Sequence, residues 1–287
     1  MSDRPAVVAL GGGHGLSATL RAARRYAGDI TAVVSVADDG GSGGRLRTAF
    51  GIPAPGDLRR CLVALADDSL WTGVFEHRFG AGELEGHAFG NLLIAALADY
   101  TGDFEVALHE TGRLLGLQGQ VFPATREPVV LKAEVEGTSV EGQVAVSNAG
   151  RISGISVIPP DARTPQGALD AIAAADQIVI GPGSLFTSVL AVVAVPAIRD
   201  AIAAARGRKV YVCNLRPQVP ETDGYGVADH LTALATHGLQ VDVALCHPGA
   251  LPMGAVDVIC VEEPIAAADL SEHDPALLGE ALKRLTG

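Results

Sequence analysis

The sequence predicts an α/β protein with a mostly parallel sheet, and three observations lead to this fold class. Short aliphatic runs recur along the chain, and several are followed by a glycine-rich turn and then by a helix-like segment. The 287 residues are 48% hydrophobic but only 4% aromatic. This aliphatic composition is typical of parallel strands that helices cover on both faces. One pair of segments alternates polar and apolar residues instead, which predicts a β-hairpin excursion from the main sheet.

The first βαβ unit is predicted near the start of the chain. Residues 5–10 form a short buried strand, residues 11–15 are a glycine turn, and residues 16–27 have the pattern of a helix. Residues 30–36 are a second aliphatic strand, which a right-handed crossover would place parallel to the first. Residues 37–56 are polar and dense in glycine, so we expect a long loop there.

The middle of the chain is predicted to be helical and then to form the hairpin. Four segments have helical patterns, namely residues 57–68, a segment around 70–79, residues 87–100 and residues 103–116. Residues 129–136 and 139–146 then alternate polar and apolar side chains, with Gly137-Thr138 between them. This pattern predicts an antiparallel hairpin that has one face in water.

Alternating strands and helices resume in the second half. The predicted strands are residues 177–181, 209–215, 241–247 and 256–262, and the predicted helices are residues 184–195 and 226–238. Neither a low-complexity linker nor an internal repeat interrupts this order. We therefore expect residues 1–287 to form a single nucleotide-binding domain of Rossmann-like type, with the hairpin excursion at about residues 129–146.

Charge and cysteine usage exclude several classes of protein. The formal net charge is −12, whereas proteins that bind nucleic-acid backbones usually have a basic excess. The four cysteines show no CxxC or CxxH spacing, so neither disulfides nor structural zinc are expected. The first residues do not resemble a signal peptide, and no apolar run approaches the length of a membrane span. We expect a cytoplasmic protein that binds neither nucleic acid nor a membrane.

The turn after the first strand is the first candidate ligand site. It contains Gly12, Gly13 and His14, and it leads directly into a helix. Glycines let the backbone approach a ligand, and the start of the helix offers free N–H groups and a positive dipole end. The segment is neither GxGxxG nor a Walker loop. A tight turn without a ligand is the alternative.

The segment after the second strand combines acidic and basic residues. Asp38 and Asp39 follow the strand, and Ser42, Arg45 and Arg47 come within the next eight residues. An acidic residue at this place in a Rossmann fold contacts a ribose hydroxyl, and adjacent carboxylates also suit Mg²⁺. Arginines pair with phosphate oxygens. A flexible surface loop with solvated charges is the alternative.

Two further polar residues lie at the starts of predicted helices. Asp57 is either an ordinary N-cap or a carboxylate that points into the cleft. Asn91 lies in an otherwise apolar helix start, so it needs a hydrogen-bond partner if it is buried.

The second half of the chain repeats the arrangement of strand, glycine turn and helix. Gly183 and Ser184 follow the strand at residues 177–181, and Thr187 lies in the next turn. Two such turns at two strand ends indicate one shared crevice at a topological switch point. Asn214 ends another strand, and Asp223 precedes a helix, where capping and ligand contact are equally good explanations. No Ser/His/Asp or Cys/His set can be paired from spacing alone.

Six of these segments together resemble the YvcK/CofD family. They occur in family order over residues 5–235 and read GGGHGLSATLRA, ITAVVSVADDGGSGGRLR, PAPGDLRRCLVALADD, HRFGAGELEGHAFGNLLIAAL, GPGSLFTSVLAVVAVPAI and VYVCNLRPQVPETDGYGVADHL. The DDGGSGGRLR and ETDGY stretches favour the YvcK branch, which is named for a gluconeogenesis factor. GGGHG and HAFGNLLI are similar to actinobacterial members.

The resemblance implies a fold, an assembly and two functions. The fold is three-layer α/β/α and Rossmann-like, and the assembly is a homodimer. The YvcK branch binds UDP-sugars, notably UDP-N-acetylglucosamine, and links carbon metabolism to cell-wall synthesis and cell shape, which implies a protein partner in cell-wall precursor synthesis. The CofD branch contains 2-phospho-L-lactate transferases that act on a deazaflavin with Mg²⁺, and the metal-binding acids would correspond to Asp39 and Asp57.

The candidate site residues combine the motifs with this resemblance. The residues expected to bind the ligand are Gly12, Gly13, His14, Asp38, Asp39, Ser42, Arg45, Asn91, Gly183, Ser184, Thr187, Asn214 and Asp223. Asp39 and Asp57 are the expected Mg²⁺ ligands. One departure concerns Glu272, which precedes His273 and Asp274 where similar sequences tend to have an arginine. An acidic side chain there would oppose binding of a diphosphate.

The sequence leaves three functions open. A regulator that binds a nucleotide sugar without turnover is preferred, because no nucleophile can be assigned. A CofD-like transferase is the main alternative, in which Asp39 and Asp57 hold Mg²⁺. A protein with a vestigial cleft that acts through a protein partner is the third.

Overall fold

The computed structural model describes residues 4–286. Seven parallel strands form the main sheet, in the order β10-β9-β8-β7-β1-β2-β3. Their bounds are β1 Ala6–Gly11, β2 Asp29–Val34, β3 Gln120–Pro123, β7 Gln177–Ile180, β8 Arg208–Val212, β9 Val243–Cys246 and β10 Ile259–Glu262. The predicted α/β class with a mostly parallel sheet is therefore confirmed.

Helices flank this sheet. They are α1 Gly13–Ala23, α2 Gly41–Phe50, α3 Pro55–Leu65, α4 Leu70–Glu76, α5 Phe89–Thr101, α6 Phe104–Leu115, α7 Gln143–Ser147, α8 Gln166–Ala174, α9 Leu190–Val193, α10 Pro196–Ala204, α11 Val227–Thr236 and α12 Pro275–Arg284. A single π-helical turn, Leu185–Val189, leads into α9. The predicted helix over residues 184–195 is thus divided between two helix types.

The strand order places a topological switch point beside β1. The chain moves outward from β1 to β2 and β3 in one direction, and from β7 through β8, β9 and β10 in the other. In sheets of this type, ligands bind outside the carboxyl ends of the strands where the direction reverses. The crevice therefore lies between the turns that follow β1 and β7, as the sequence predicted.

The hairpin excursion is larger than the sequence predicted. Its strands β4 (Val130–Val135) and β5 (Thr138–Glu141) are antiparallel, but β6 (Ile152–Ile158) pairs with the other edge of β4. The prediction of a strand up to residue 146 is wrong. Gly142 has a φ of 97°, and the chain then turns into α7.

The predicted loop over residues 37–56 is also wrong, because it contains α2. The first four residues of the helix are three glycines and one serine, which is a composition of low helical propensity. Tertiary packing requires one of these glycines. A Cβ on Gly44 would overlap the backbone of Asp39, so only glycine lets the helix approach the preceding loop this closely.

The core consists of aliphatic side chains from β1, β2, β7 and β8 together with the helix faces that cover them. All four cysteines are free, and Cys61, Cys213 and Cys246 are buried, as expected for small apolar side chains. Within residues 4–286, no single helix is long and apolar enough to cross a membrane. One bent pair, Leu185–Val193 with Pro196–Ala204, meets that test by length and composition only.

Candidate functional site

The glycine turns after β1 and β7 lie against each other. A Cβ on Gly15 would lie 2.6 Å from the carbonyl carbon of Pro182, and one on Gly183 would lie 3.4 Å from the carbonyl oxygen of Gly12. A larger residue at position 15 would force the two turns apart, whereas at position 183 glycine is required by a φ of 152°. The prediction that the two turns lie together at one edge of the sheet is confirmed.

Asp57 joins the start of α3 to the start of α1. Its Oδ2 accepts a hydrogen bond of 2.7 Å from the N–H of Gly13, and its Oδ1 pairs with Arg60 at 2.6 Å. Asp57 lies in the first turn of α3, whose N-cap is Ala54, so the prediction that Asp57 caps its own helix is wrong. The carboxylate instead satisfies a free N–H of α1 and fixes Arg60 at the edge of the crevice.

The two acidic residues after β2 have different surroundings. Asp38 is partly buried, and its Oδ1 accepts a hydrogen bond from the N–H of Gly40 at 3.0 Å. Burial raises the pKa of the Asp38 carboxyl, and repulsion from Asp57 and Asp39 raises it further. The Gly40 hydrogen bond and the charge of Arg60 act in the opposite direction.

Asp39 binds the start of α7, the short helix that follows β5. Its Oδ2 and Oδ1 accept hydrogen bonds from the N–H groups of Gln143 (3.1 Å) and Val144 (3.0 Å). Both carboxylate oxygens therefore cap α7, and Asp57 is engaged with Gly13 and Arg60. Within residues 4–286, no group of three or more His, Cys, Asp or Glu side chains could hold a metal ion. In this arrangement Asp39 and Asp57 do not fit the Mg²⁺ pair that the sequence predicted.

The two arginines of α2 bind backbone carbonyls. Arg45 donates to the carbonyl of Glu85 at 3.1 Å and is exposed. Arg47 donates to the carbonyl of Val129 at 2.6 Å, and this contact ties α2 to the start of β4. Arg47 is thus a structural contact, while Arg45 lies at the surface beside Ser42 and His87.

Asn91 is buried and has a charged partner. Its Oδ1 accepts a hydrogen bond of 3.1 Å from Nε of Arg59, which is itself buried. Nη1 of Arg59 lies 3.9 Å from Glu76 and has no hydrogen-bond partner within the described residues. Burial lowers the pKa of Arg59, and the charge of Arg60 lowers it further. The sequence correctly required a partner for Asn91, but neither residue of this buried pair lines the crevice cavities.

The start of the π-helical turn already holds a carboxylate. Glu221 accepts hydrogen bonds from the N–H of Phe186 (2.7 Å), the N–H of Thr187 (3.3 Å) and the hydroxyl of Thr187 (2.9 Å). Burial raises the pKa of Glu221 against the lowering effect of these hydrogen bonds. The N–H groups that were expected to bind an anion of the ligand thus bind an internal anion. Ser184 contributes its carbonyl oxygen, which accepts from the N–H of Ser188 at 3.0 Å.

Asn214 holds the second glycine turn in place. Its side-chain amide accepts from the N–H of Gly183 (3.1 Å) and donates to the carbonyl of Gly183 (3.0 Å). This double contact explains why an asparagine follows β8. Asp223 is exposed in the loop before α11, and it does not line the cavities of the crevice.

Two neighbouring cavities form the crevice. One of about 200 Å³ is lined by His14, Ser17, Arg21, Arg60, Glu76, Glu272 and His273, among others. The second, of about 160 Å³, is lined by residues that include His14, Gly183, Asn214, Arg216, Gln218 and Glu272. His14, Ala18, Glu272 and His273 line both cavities, so the two form one continuous groove.

The C-terminal segment closes one side of this groove. His273 is buried, and its Nε2 lies 3.1 Å from the carbonyl oxygen of Cys213. Burial lowers the pKa of His273 to about 4, so its ring is neutral near pH 7. Glu272, noted in the sequence as an acidic departure, lies between the two cavities with its side chain exposed.

Several groove residues were missed in the sequence. Arg21, Arg60 and Arg216 supply the positive charge of the groove, and although each lies in a segment that resembles the family, none was singled out as a candidate. A signal existed for Arg60, because it follows Asp57 at the i+3 spacing of a helical ion pair. For Arg216 the sequence holds no such signal.

Three larger cavities lie away from the glycine turns. One of about 750 Å³ is at the amino edge of the sheet, beside Gly28 and Asp29. One of about 530 Å³ lies between β6 and the start of α10, and one of about 470 Å³ lies between α6 and β3. None of the three is lined by the glycine turns or by the groove arginines, and volume alone does not define a site. We therefore place the candidate site in the smaller groove.

The fold and the groove together define a class of protein. This is a Rossmann-like α/β protein whose crevice combines close-packed glycine turns, helix starts and arginines at the carboxyl edge of a parallel sheet. Residues 7–276 match the family described as 2-phospho-L-lactate transferase CofD. The chain therefore belongs to the CofD family, and its relatives place it in the branch of the gluconeogenesis factors.

These relatives are similar over most of the chain. The gluconeogenesis factor of Halalkalibacterium halodurans is 47% identical over 80% of this chain and 73% of its own length. The gluconeogenesis factor of Bacillus subtilis is 44% identical over 83% of this chain and 76% of its own length. A Nostoc relative is 48% identical, and this chain spans about half of it, 51%.

A crystal structure gives the same result for the fold. A member of the upf0052 family from Bacillus halodurans superimposes with a TM-score of 0.93 at 38% sequence identity, and the match covers 98% of this chain and 99% of that one.

Proposed function

We propose that the groove binds a nucleotide sugar, specifically a UDP-sugar such as UDP-N-acetylglucosamine, and that the protein is a regulator that links carbon metabolism to cell-wall synthesis and cell shape. The observation that carries the proposal is the contact between the glycine turns after β1 and β7. This contact brings the start of α1 to the edge of a groove that contains arginines. Backbone N–H groups and a helix dipole at such a place favour a phosphate.

Charge decides where a diphosphate would lie. Arg21 and Arg60 line the first cavity, and Arg216 lines the second. Asp57 pairs with Arg60 and lies close enough to Asp38 to raise its pKa, so the negative charge of these two carboxylates would repel phosphate from their side of Arg60. The diphosphate would therefore lie beside His14, where the two cavities meet. Guanidinium groups bind phosphate oxygens through paired hydrogen bonds.

The size of the groove supports a small ligand. The two cavities together reach the lower end of the roughly 300–1,000 Å³ that is usual for sites of this kind. The gluconeogenesis factors among the relatives support a role in carbon metabolism, since that is what their name describes.

Isothermal titration calorimetry tests this proposal with UDP-N-acetylglucosamine, UDP-glucose, GDP and NAD, each with and without Mg²⁺. Gly12→Ala should weaken UDP-sugar binding at least tenfold, because its Cβ would lie 2.6 Å from Oδ2 of Asp57 and would displace the carboxylate that holds Arg60 at the groove. Gly73→Ala is the matched control, since a Cβ there meets no atom within 4 Å. Binding of GDP in place of every UDP-sugar would contradict the proposal.

A second function is favoured by one observation, namely the matching family description of 2-phospho-L-lactate transferase. This activity would transfer phospholactate from a guanosine diphosphate-linked donor to the hydroxyl of a deazaflavin. Incubation with the donor, the deazaflavin and Mg²⁺ tests it. The appearance of a phospholactyl-deazaflavin in mass spectra would replace the regulator by the transferase, and its absence would eliminate the transferase.

A further inference from the structure

A serine and a histidine from distant parts of the chain form a close pair beside the groove. Oγ of Ser42, at the start of α2, lies 3.0 Å from Nδ1 of His87, in the segment before α5. Ser42 is 6% exposed, and His87 is half-buried. Neither lines the two groove cavities, so this pair is separate from the proposed nucleotide-sugar site.

Ser42 lies in the first turn of α2, among four glycines. Residues 40–44 read Gly-Gly-Ser-Gly-Gly, so no bulky side chain is adjacent to the serine in the sequence. Gly44 packs against the backbone of Asp39, where a Cβ would overlap it. Gly41 has a φ of 51°, and a Cβ there would meet no atom within 4 Å. The turn is therefore tight on one side and open on the other.

The surroundings of His87 keep its ring neutral. Burial lowers the pKa of His87 from its ordinary value of 6.5, and the charges of Arg45 and Arg78 lower it further. A neutral imidazole can accept the hydroxyl proton of Ser42 at Nδ1. Arg45 and Arg78 are held beside the ring by the carbonyls of Glu85 and Gly86.

The same two arginines indicate the charge of the group that the pair would act on. Both guanidinium groups lie close enough to His87 to lower its pKa, and Ser42 itself lies at the positive end of the α2 dipole. A phosphoryl group fits this environment better than a neutral acyl group does, because its oxygens carry negative charge throughout the reaction.

We propose that Ser42 is a nucleophile, with His87 as its general base, that attacks the phosphorus of an activated phosphate ester. The Oγ–P bond forms while the bond from phosphorus to the leaving oxygen breaks. The Ser42 proton moves to Nδ1 of His87 and then to the leaving oxygen. Ser42 becomes phosphorylated, and no oxidant or other co-reactant is required.

A fluorophosphonate probe with a reporter group tests this step directly, since serine attack forms the Oγ–P bond and expels fluoride. Mass spectra of proteolytic peptides should find the label on Ser42. Ser42→Ala should lose it, whereas Ser139→Ala, which removes an exposed serine of β5, should keep it. His87→Gln should slow labelling about a hundredfold, the usual contribution of a general base.

The pH profile separates a base from a purely structural histidine. Wild-type labelling should rise with pH, and the midpoint of this rise should lie below the ordinary histidine pKa of 6.5. His87→Gln changes a half-buried position and should remain folded. Its labelling rate should lack this pH-dependent rise. Absence of label from Ser42 under conditions that label trypsin would overturn the proposal. The proposal would also be overturned if Ser42 is labelled in His87→Gln at the same rate as in the wild-type protein.

Discussion

The buried carboxylate of Glu221 should be a main determinant of stability near the groove. Glu221→Ala leaves the N–H groups of Phe186 and Thr187 without their acceptor, in residues that are almost fully buried. Each such donor costs about 1–3 kcal/mol, and removal of a buried carboxylate offsets part of this cost. We expect a loss of about 3 kcal/mol in the free energy of unfolding.

Glu221→Gln separates the charge from the hydrogen bonds, because the amide oxygen still accepts from both N–H groups. It should remain within about 1 kcal/mol of the wild-type protein at pH 7. Urea titration monitored by circular dichroism measures both variants, and Glu280→Ala, at an exposed position of α12, is the control. If Glu221→Ala unfolds at the same urea concentration as Glu280→Ala, the capping role of Glu221 is refuted.

The pH dependence gives an independent check on Glu221. Its pKa is raised in the folded protein, so the folded state binds the proton more tightly than the unfolded state. Stability from this group is therefore lost as pH rises from the ordinary value of 4.5 through the folded pKa. The glutamine variant does not titrate, so its stability relative to wild type should increase over that window. A decrease would contradict the sign of the shift.

Two further predictions concern the buried pair of Asn91 and Arg59 and the contact between the glycine turns. Asn91→Ala removes the acceptor of the buried Arg59 Nε and should cost about 3 kcal/mol in urea unfolding. The double variant Asn91→Ala with Arg59→Met should recover most of the lost free energy of unfolding. If it does not, the unpaired charge of Arg59 is not the cause of the loss. Gly15→Ala should destabilise by about 2 kcal/mol and should abolish UDP-sugar binding in calorimetry, because its Cβ would push apart the turns after β1 and β7. Gly73→Ala should be neutral or stabilising, and equal behaviour of the two alanine variants would contradict the close approach.

Much of the fold could be predicted because parallel strands leave a direct pattern in the sequence. The runs that became β1, β2, β7 and β8 are aliphatic and end in glycine or polar residues. The strand β3 could not be found in this way, since four residues with an exposed glutamine at the start resemble a loop. The helix α2 was missed because its glycines have low helical propensity and are explained only by the packing of Gly44 on Asp39.

The contact between the two glycine turns could be predicted, but the partners of the individual side chains could not. The two glycine turns could be placed in one crevice because the carboxyl ends of parallel strands share one edge. The partners of individual side chains could not be predicted, since they join residues that are far apart in the chain. Asp39 binds α7 about a hundred residues later, and Thr187 binds Glu221. The pairing of Ser42 with His87 was invisible for the same reason.

Hydrogen–deuterium exchange with and without UDP-N-acetylglucosamine tests the central claim most directly. Bound diphosphate should protect the backbone N–H groups of peptides that contain residues 12–18 and 182–186, where the two glycine turns meet. Peptides that contain residues 27–31 and 118–120, around the larger cavity at the amino edge of the sheet, should exchange as before. Protection at that edge, with none at the glycine turns, would contradict the assignment of the ligand to the groove.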